Sequence, residues 1–296
     1  ALKELVGLKK LTYLGLSGTD ITDVGMKDLS QFEQLSWLSL HSTGVTARGL
    51  RELAGVKKLE ALFIDTKQID DARFRVLCEL GLLHTLDLAH AYQQWPKSDA
   101  DIIRLDLGAT QVTDAALKDV ARLHGLENLH LGPRQTGVGL KALAPLKKLS
   151  SLSVHNTSDA VLGDIATLEN LATLSFGGNG VTDAGIKHLR RLKRLTGLTI
   201  GETQLSDVGM KDLGDLSQLR FLSIDNNKIT DAGMRDLARL TNLHSLYLYE
   251  RQITDKGLSE LGALTNLERL ILSQTQVTAQ GVETLSTILP KCQIRR

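Results

Sequence analysis

The chain has 296 residues, 42% of them hydrophobic and 23% charged, which is an ordinary composition and enough chain for a large apolar core. Thirty-five basic against 34 acidic residues leave a net charge of +1, which argues against phosphate neutralisation as its main business. No stretch nears the ~20 apolar residues of a membrane-spanning helix, and Cys78 and Cys292 are too few and too far apart for a disulfide framework or a thiolate metal site. Leucine is in excess, with 58 residues against eleven aromatics, and a core drawn from one residue type points to repetition.

Taken in chain order, residues 1–10 read as the helical tail of an earlier unit, through Leu2, Leu5 and Leu8. A stacked array needs a polar cover at each end, and none is legible here, so the native protein is expected to extend upstream. Leu11, Leu35, Leu59 and Leu83 then open four segments at 24-residue spacing. Ile102, Leu126 and Leu149 open three more, followed by Leu171, Leu195, Leu219, Leu243 and Leu267 at regular 24-residue spacing. Twelve strand-bearing units result. The fourth, residues 83–101, is only 19 residues long and irregular. The segment 286–296, with Ile288-Leu289-Pro290-Lys291-Cys292-Gln293-Ile294, reads as a short closing strand that caps the last unit.

Each unit combines two periods, as in LTYLGLSGTDITDVGMKDLSQFEQ from Leu11 to Gln34. The L-x-x-L-x-L part alternates inward and outward, which is strand logic, and T-D-x-G-M-x-x-L-x-x-L spaces apolar residues by three, which suits a helical turn. Thr22, Thr182, Thr230 and Thr254 are placed as helix N-caps, each with an Asp favourably sited in the first turn. Gly25, Gly185, Gly209, Gly233 and Gly257 recur at one place despite the cost of glycine inside a helix, so a side chain there should block approach of the next coil. Because strands pack about 4.8 Å apart and helices roughly 8–10 Å, the strand side should form the inner arc of a curved solid.

These residues resemble the leucine-rich repeat family, with its L-x-x-L-x-L-x-x-N/C-x-L pattern, over nearly the whole chain. The T-D-x-G extension is similar to the 24-residue repeats common in bacterial proteins and to the cysteine-containing repeats of F-box proteins. The resemblance implies an α/β solenoid, or horseshoe, with a concave parallel β-sheet of about twelve strands and convex short helices, forming a single domain. It also implies a non-enzymatic scaffold for protein or peptide binding. An enzyme inhibitor, or a secreted effector or adhesion protein of the same type, is the alternative. Family departures are visible. The inward Asn is present only as Asn179 and Asn227; Thr19, Thr43, Thr110, Thr157, Thr203 and Thr275 replace it, and are expected to satisfy a neighbouring coil's backbone. Lys67, Arg134 and Arg251 also fall there, so those coils should loop outward.

Positions three, five and seven of each unit should face the concave space. Six of the eleven aromatics stand there: Tyr13, Trp37 and Phe63 in one group, Phe221, Tyr247 and Tyr249 in another, the latter beside Arg269. Exposed aromatics on a rigid sheet are typical binding anchors, whereas the bland reading is a ladder of rings that cover one another. Between the groups the positions are small and polar, including Ser175, Gly177, Thr199 and Gly201. Asp65, Asp87, Asp106 and Asp225 against Arg104 and Arg269 leave this face slightly acidic, the reverse of a nucleic-acid reader. The run Arg190-Arg191-Leu192-Lys193-Arg194 reads as a solvated helix end on the convex side.

In the irregular unit, Ala89 to Ser98 carries Tyr92 and Trp95. This reads as a loop whose Trp95 plugs the space of a missing helix, with an exposed contact loop as the alternative. Asp87, Asp106 and His130 share position five on successive units, with His155 nearby at position seven. Such a set could hold a metal or shuttle a proton, but a polar subsite for a basic partner is the simpler account. Ser153 and His155 lack an orienting acid, and no phosphate loop or H-E-x-x-H is present, so no cofactor, metal or catalytic residue is expected.

Overall fold

Alternation in L-x-x-L-x-L produces a short strand wherever a neighbouring unit supplies the ladder partner, and the apolar triplet behind it closes a helical turn. A computed structural model describes residues 2–91 and 95–296. It divides into two compact units, Ala1–Arg134 with Pro145–Lys148, and Gln135–Ala144 with Leu149–Arg296.

The first unit holds β1 (Tyr13–Gly15), β2 (Trp37–Ser39), β3 (Ala61–Phe63), β4 (Ala89–His90), β5 (Arg104–Asp106) and β6 (Asn128–His130), with α1 (Asp23–Met26), α2 (Ala47–Leu50), α3 (Asp71–Leu80) and α4 (Leu117–Val120). Strands β1, β2 and β3 form a parallel ladder with Tyr13 opposite Trp37 and Ser39 opposite Phe63. Strands β5 and β6 are also parallel, in the register Asp106 to His130.

The second unit holds β7 (Ser151–Val154), β8 (Thr173–Gly177), β9 (Gly197–Gly201), β10 (Phe221–Asp225), β11 (Ser245–Tyr249), β12 (Arg269–Leu272) and β13 (Gln293–Arg295). All pair in parallel and in sequence order. Behind them lie α5 (Asp159–Ile165), α6 (Asp183–Ile186), α7 (Asp207–Leu213), α8 (Asp231–Leu237), α9 (Asp255–Glu260) and α10 (Ala279–Ile288). Residues one, four and six of most coils are buried between the layers, as at Leu35, Leu38 and Leu40, or Leu219, Leu222 and Ile224. Burying one such side chain contributes roughly 1.5–3 kcal/mol.

The Thr-Asp-x-Gly element is a joint between coils. Each Asp carboxylate reaches the N-cap of the following coil rather than its own helix. Asp207 accepts the amide and hydroxyl of Thr230 at 2.9 and 2.7 Å, and Asp231 accepts those of Thr254 at 2.8 and 2.6 Å. The same pairs join Asp23 to Thr46, Asp159 to Thr182, Asp183 to Ser206 and Asp255 to Thr278. The Thr hydroxyl accepts in turn from the amide two residues on, 3.2 Å away at Ala232, so one side chain caps its helix and clasps its neighbour. The recurrent glycine makes room for that carboxylate: a Cβ at Gly233 would lie 2.6 Å from Asp207 Oδ1. Where the N-cap is itself an acid, Asp70, the preceding coil carries Ala47 instead of Asp, which avoids facing carboxylates.

This joint also shows where the expected twelve-strand array fails. The segment opening at Leu83 forms a 3-10 turn over Leu83–Thr85, and its two-residue strand β4 runs antiparallel to β5, with Ala89 opposite Leu105. On the helix side the segment is bypassed. Asp71 clasps Thr113 at 2.8 and 2.7 Å, Gln111 donates to the Ile69 carbonyl at 2.9 Å, and Arg75 pairs with Asp119 at 3.4 Å. Residues 82–101 are therefore an insertion into the strand layer, fastened at its base by Asp99, which accepts from the His84 amide at 2.8 Å.

The inward position nine differs from expectation in two ways and agrees with it in a third. Thr19, Thr43 and Thr110 donate to carbonyls of their own coil three residues back, at 2.6–2.8 Å, not to a neighbour. Asn179 is exposed, whereas Asn227 is turned in and donates to the Asp225 carbonyl at 2.8 Å. Lys67, Arg134 and Arg251 do point outward, as their charge requires. Position eight is left-handed in several coils, at Ser42, Asn156, Glu202, Asn226 and Gln274. Glu250 escapes that conformation, turns inward and is 2% exposed, accepting from the Asn227 amide and Nδ2, each at 2.9 Å. Burial pushes its carboxyl above the ordinary range, although the Asn227 bonds oppose this. Arg190, read from sequence as solvated, pairs with Asp212 at 2.7 Å and with Asp215 across the next coil.

Candidate functional site

Strand alternation carries the outward residues of both units to the solvent side of the sheet, and the aromatics go with them. In the first unit Tyr13 and Trp37 occupy the same position on paired strands and stack, centroids 3.7 Å apart and planes at 14°. Trp37 continues onto Phe63 at 4.7 Å. The rings cover one another, yet Tyr13 stays 58% and Phe63 37% exposed. His41, which the sequence pattern did not single out, borders Phe63 with ring centroids 6.3 Å apart. It lies 2.9 Å from Asp65, which also accepts the Ser42 amide at 2.8 Å; these bonds hold the Asp65 carboxyl below its ordinary range.

In the second unit Phe221 meets Tyr247 edge to face at 5.3 Å, and both are half-buried on the sheet face. Arg269 donates to the Tyr247 hydroxyl at 3.5 Å, a bond that raises the guanidinium's affinity for its proton. Tyr249 lies beside Asp225 in register. Toward β7 the surface drops, because Gly177 and Gly201 stand opposite each other with no side chains. The result is a depression of about 240 Å³ whose lining includes His155, Ser175, Thr199, Glu202 and Asp225.

The proposed polar trio is not assembled. Asp106 and His130 are paired across β5 and β6, and Arg104 is exposed on the same strand as Asp106. Asp87, by contrast, lies in the turn between the Leu83–Thr85 helix and β4, outside the parallel register, because the inserted segment never completes a coil. Among the described residues no group of three or more His, Cys, Asp or Glu is placed to hold a metal ion. Trp95 does not plug a gap: it is 62% exposed, with its ring 6.1 Å from that of His90, beside a groove of about 850 Å³ that Lys57, Lys58 and His84 help to line. Tyr92 lies outside the described residues. Among the described residues no helix is long and apolar enough to cross a membrane.

The family model described as Leucine Rich repeat matches residues 7–30 and 217–238, two of the coils built above. Solved structures extend the likeness to the rest. An internalin, inlF, of Listeria monocytogenes is 24% identical, with 97% of this chain and 87% of that chain covered and a TM-score of 0.53. The chain shares the fold of leucine-rich repeat proteins. A leucine-rich repeat protein of Leptospira interrogans matches 99% of this chain and 86% of its own at 22% identity and TM-score 0.51. Internalin C2 of Listeria monocytogenes matches 67% of this chain and 82% of its own, at 25% identity and TM-score 0.50. No curated protein matches. The repeat pattern therefore accounts for the outward display of side chains, and the α/β solenoid fold is that of the matched structures.

Proposed function

We propose that this leucine-rich repeat protein is a non-enzymatic scaffold that binds a protein or peptide partner on the solvent face of its sheets. The observation that carries the reading is the placement of Tyr13, Trp37, Phe63, Phe221, Tyr247 and Tyr249 on that face rather than among the leucines. Clustered apolar rings held on fixed strands lose little ordering entropy on binding, and contiguous exposed patches of this kind mark interaction surfaces. Arg104, Asp106, His130 and Arg269 supply polar selection around them. Asp87 keeps a part in this reading only as an exposed charge on the inserted segment.

The test is affinity capture from source cells followed by titration of the captured partner. Tyr247→Ala, Tyr249→Ala and Trp37→Ala are each expected to weaken binding by ~2 kcal/mol where the ring is a central anchor, roughly 30-fold in Kd. Unchanged affinity in all three would remove the sheet face as the binding surface.

A further inference from the structure

The second unit carries a feature that the aromatic anchors do not explain. Along the upper edge of its sheet, Gly177, Gly201, Asp225 and Tyr249 occupy one row on four successive strands, and His155 follows directly on the end of the neighbouring β7. With strands about 4.8 Å apart, His155 and Asp225 stand roughly 14 Å apart, separated by two glycines. The glycines are what open the space. Gly177 cannot carry a side chain, since a Cβ there would lie 2.7 Å from the Gly201 carbonyl oxygen, whereas a Cβ on Gly201 would meet nothing within 4 Å. Thr199 and Ser175 continue the floor with hydroxyls, and Glu202 stands at the rim.

The charge in this depression is one-sided. Asp225 and Glu202 are both carboxylates whose side chains have no hydrogen-bond or ion-pair partner among the described residues, and both line the space. The cation nearest in sequence on the sheet face, Arg269, is held on the opposite edge by the Tyr247 hydroxyl and does not line the space. A volume of about 240 Å³ is below the usual range for drug-sized ligands, but it suits one long side chain. Its lining offers the carboxylates of Asp225 and Glu202, acceptors of the kind that hold a planar guanidinium through charge-assisted hydrogen bonds.

We infer that this depression is a specificity subsite for an arginine side chain of the bound peptide or protein, with Asp225 and Glu202 as its acceptors and Gly177 and Gly201 as its floor. The inference rests on the reading of the sheet face as a binding surface, and names what one part of that surface selects.

The test uses three blocked pentapeptides, Gly-Gly-X-Gly-Gly with X as arginine, glutamate or norleucine, titrated into the isotopically labelled full chain. The arginine peptide is expected to shift the amides of Gly177, Gly201 and Asp225, with the other two peptides inert. Asp225→Asn should weaken the response at least fivefold. Gly201→Leu, which fills the space without a backbone clash, should abolish it while leaving the remaining spectrum intact. Equal responses to arginine and norleucine, no response to arginine, or an arginine response that survives both substitutions would each overturn the subsite. Partner capture through Tyr247 and Trp37 is a separate readout, so failure here with capture intact rejects the arginine assignment alone.

Discussion

Coils of the second unit and the inserted segment 82–101 of the first carry the same leucine spacing but different joints. From Asp183 to Thr254 every carboxylate meets the Thr or Ser of the next coil 23 residues on. At the insertion the same bond spans 42 residues, from Asp71 to Thr113, and the leucines of the inserted segment, Leu83, Leu86 and Leu88, build no coil. Leucine spacing supplies the apolar interior, but the Asp–Thr clasp decides which segment stacks on which.

The largest way to break this contrast is to crowd a regular joint. Gly233→Val would thrust into Asp207 and Met210 and is expected to cost about 3 kcal/mol, read as a lowered urea midpoint. An unchanged midpoint would mean that the glycine is not making room for the clasp. Next, Asp71→Ala should cost about 1 kcal/mol and speed hydrogen exchange at the Thr113 and Ala115 amides. Exchange that instead changes only within residues 82–101 would show that the long-span joint is not the one that holds.

Acid offers a gentler probe of the regular joints. The Thr278 hydroxyl and amide hold Asp255 below the ordinary carboxylate range; partial burial pushes Asp23 up, but the Thr46 amide and hydroxyl outweigh it and lower it too. A depressed folded pKa gives stability that is present above the unfolded value, near 3.8, and lost as pH falls through the folded value. The stability gap between the wild type and the Asp23→Asn, Asp255→Asn double variant should therefore be constant near neutrality and close below about pH 4. A gap that persists undiminished in acid would refute the ionic character of the clasp. The smallest effect is expected at Thr157, whose buried hydroxyl oxygen has no hydrogen-bond partner among the described residues: Thr157→Val should be neutral or stabilising by up to about 0.5 kcal/mol in thermal unfolding.

Much of this was legible in the residues. Strand starts, outward aromatics and the recurrent glycine follow from spacing alone, because alternation and close approach are local consequences of the backbone. The insertion was not, since Leu83, Leu86 and Leu88 imitate a coil; the missing Thr-Asp-x-Gly was the signal, readable only once the Asp is understood to serve the next coil. Asn179 misled because the preceding Gly178, at φ 132°, turns the chain differently from the left-handed Asn226 that precedes Asn227. Glu202 and His41 escaped notice because their roles depend on neighbours one coil away, the glycine floor in one case and Asp65 in the other.

The clasp has a direction: each coil presents an acceptor forward and a donor backward, and nothing in it joins two like faces. Coils from Leu195 to Asn242 are thus interchangeable bricks. Duplicating residues 219–242 would present a matching tongue and groove to both neighbours, and would lengthen the array by one strand spacing. That would also set a second Phe221 and Asp225 beside the first, turning the molecule into a ruler whose graduations can be moved without disturbing its interior.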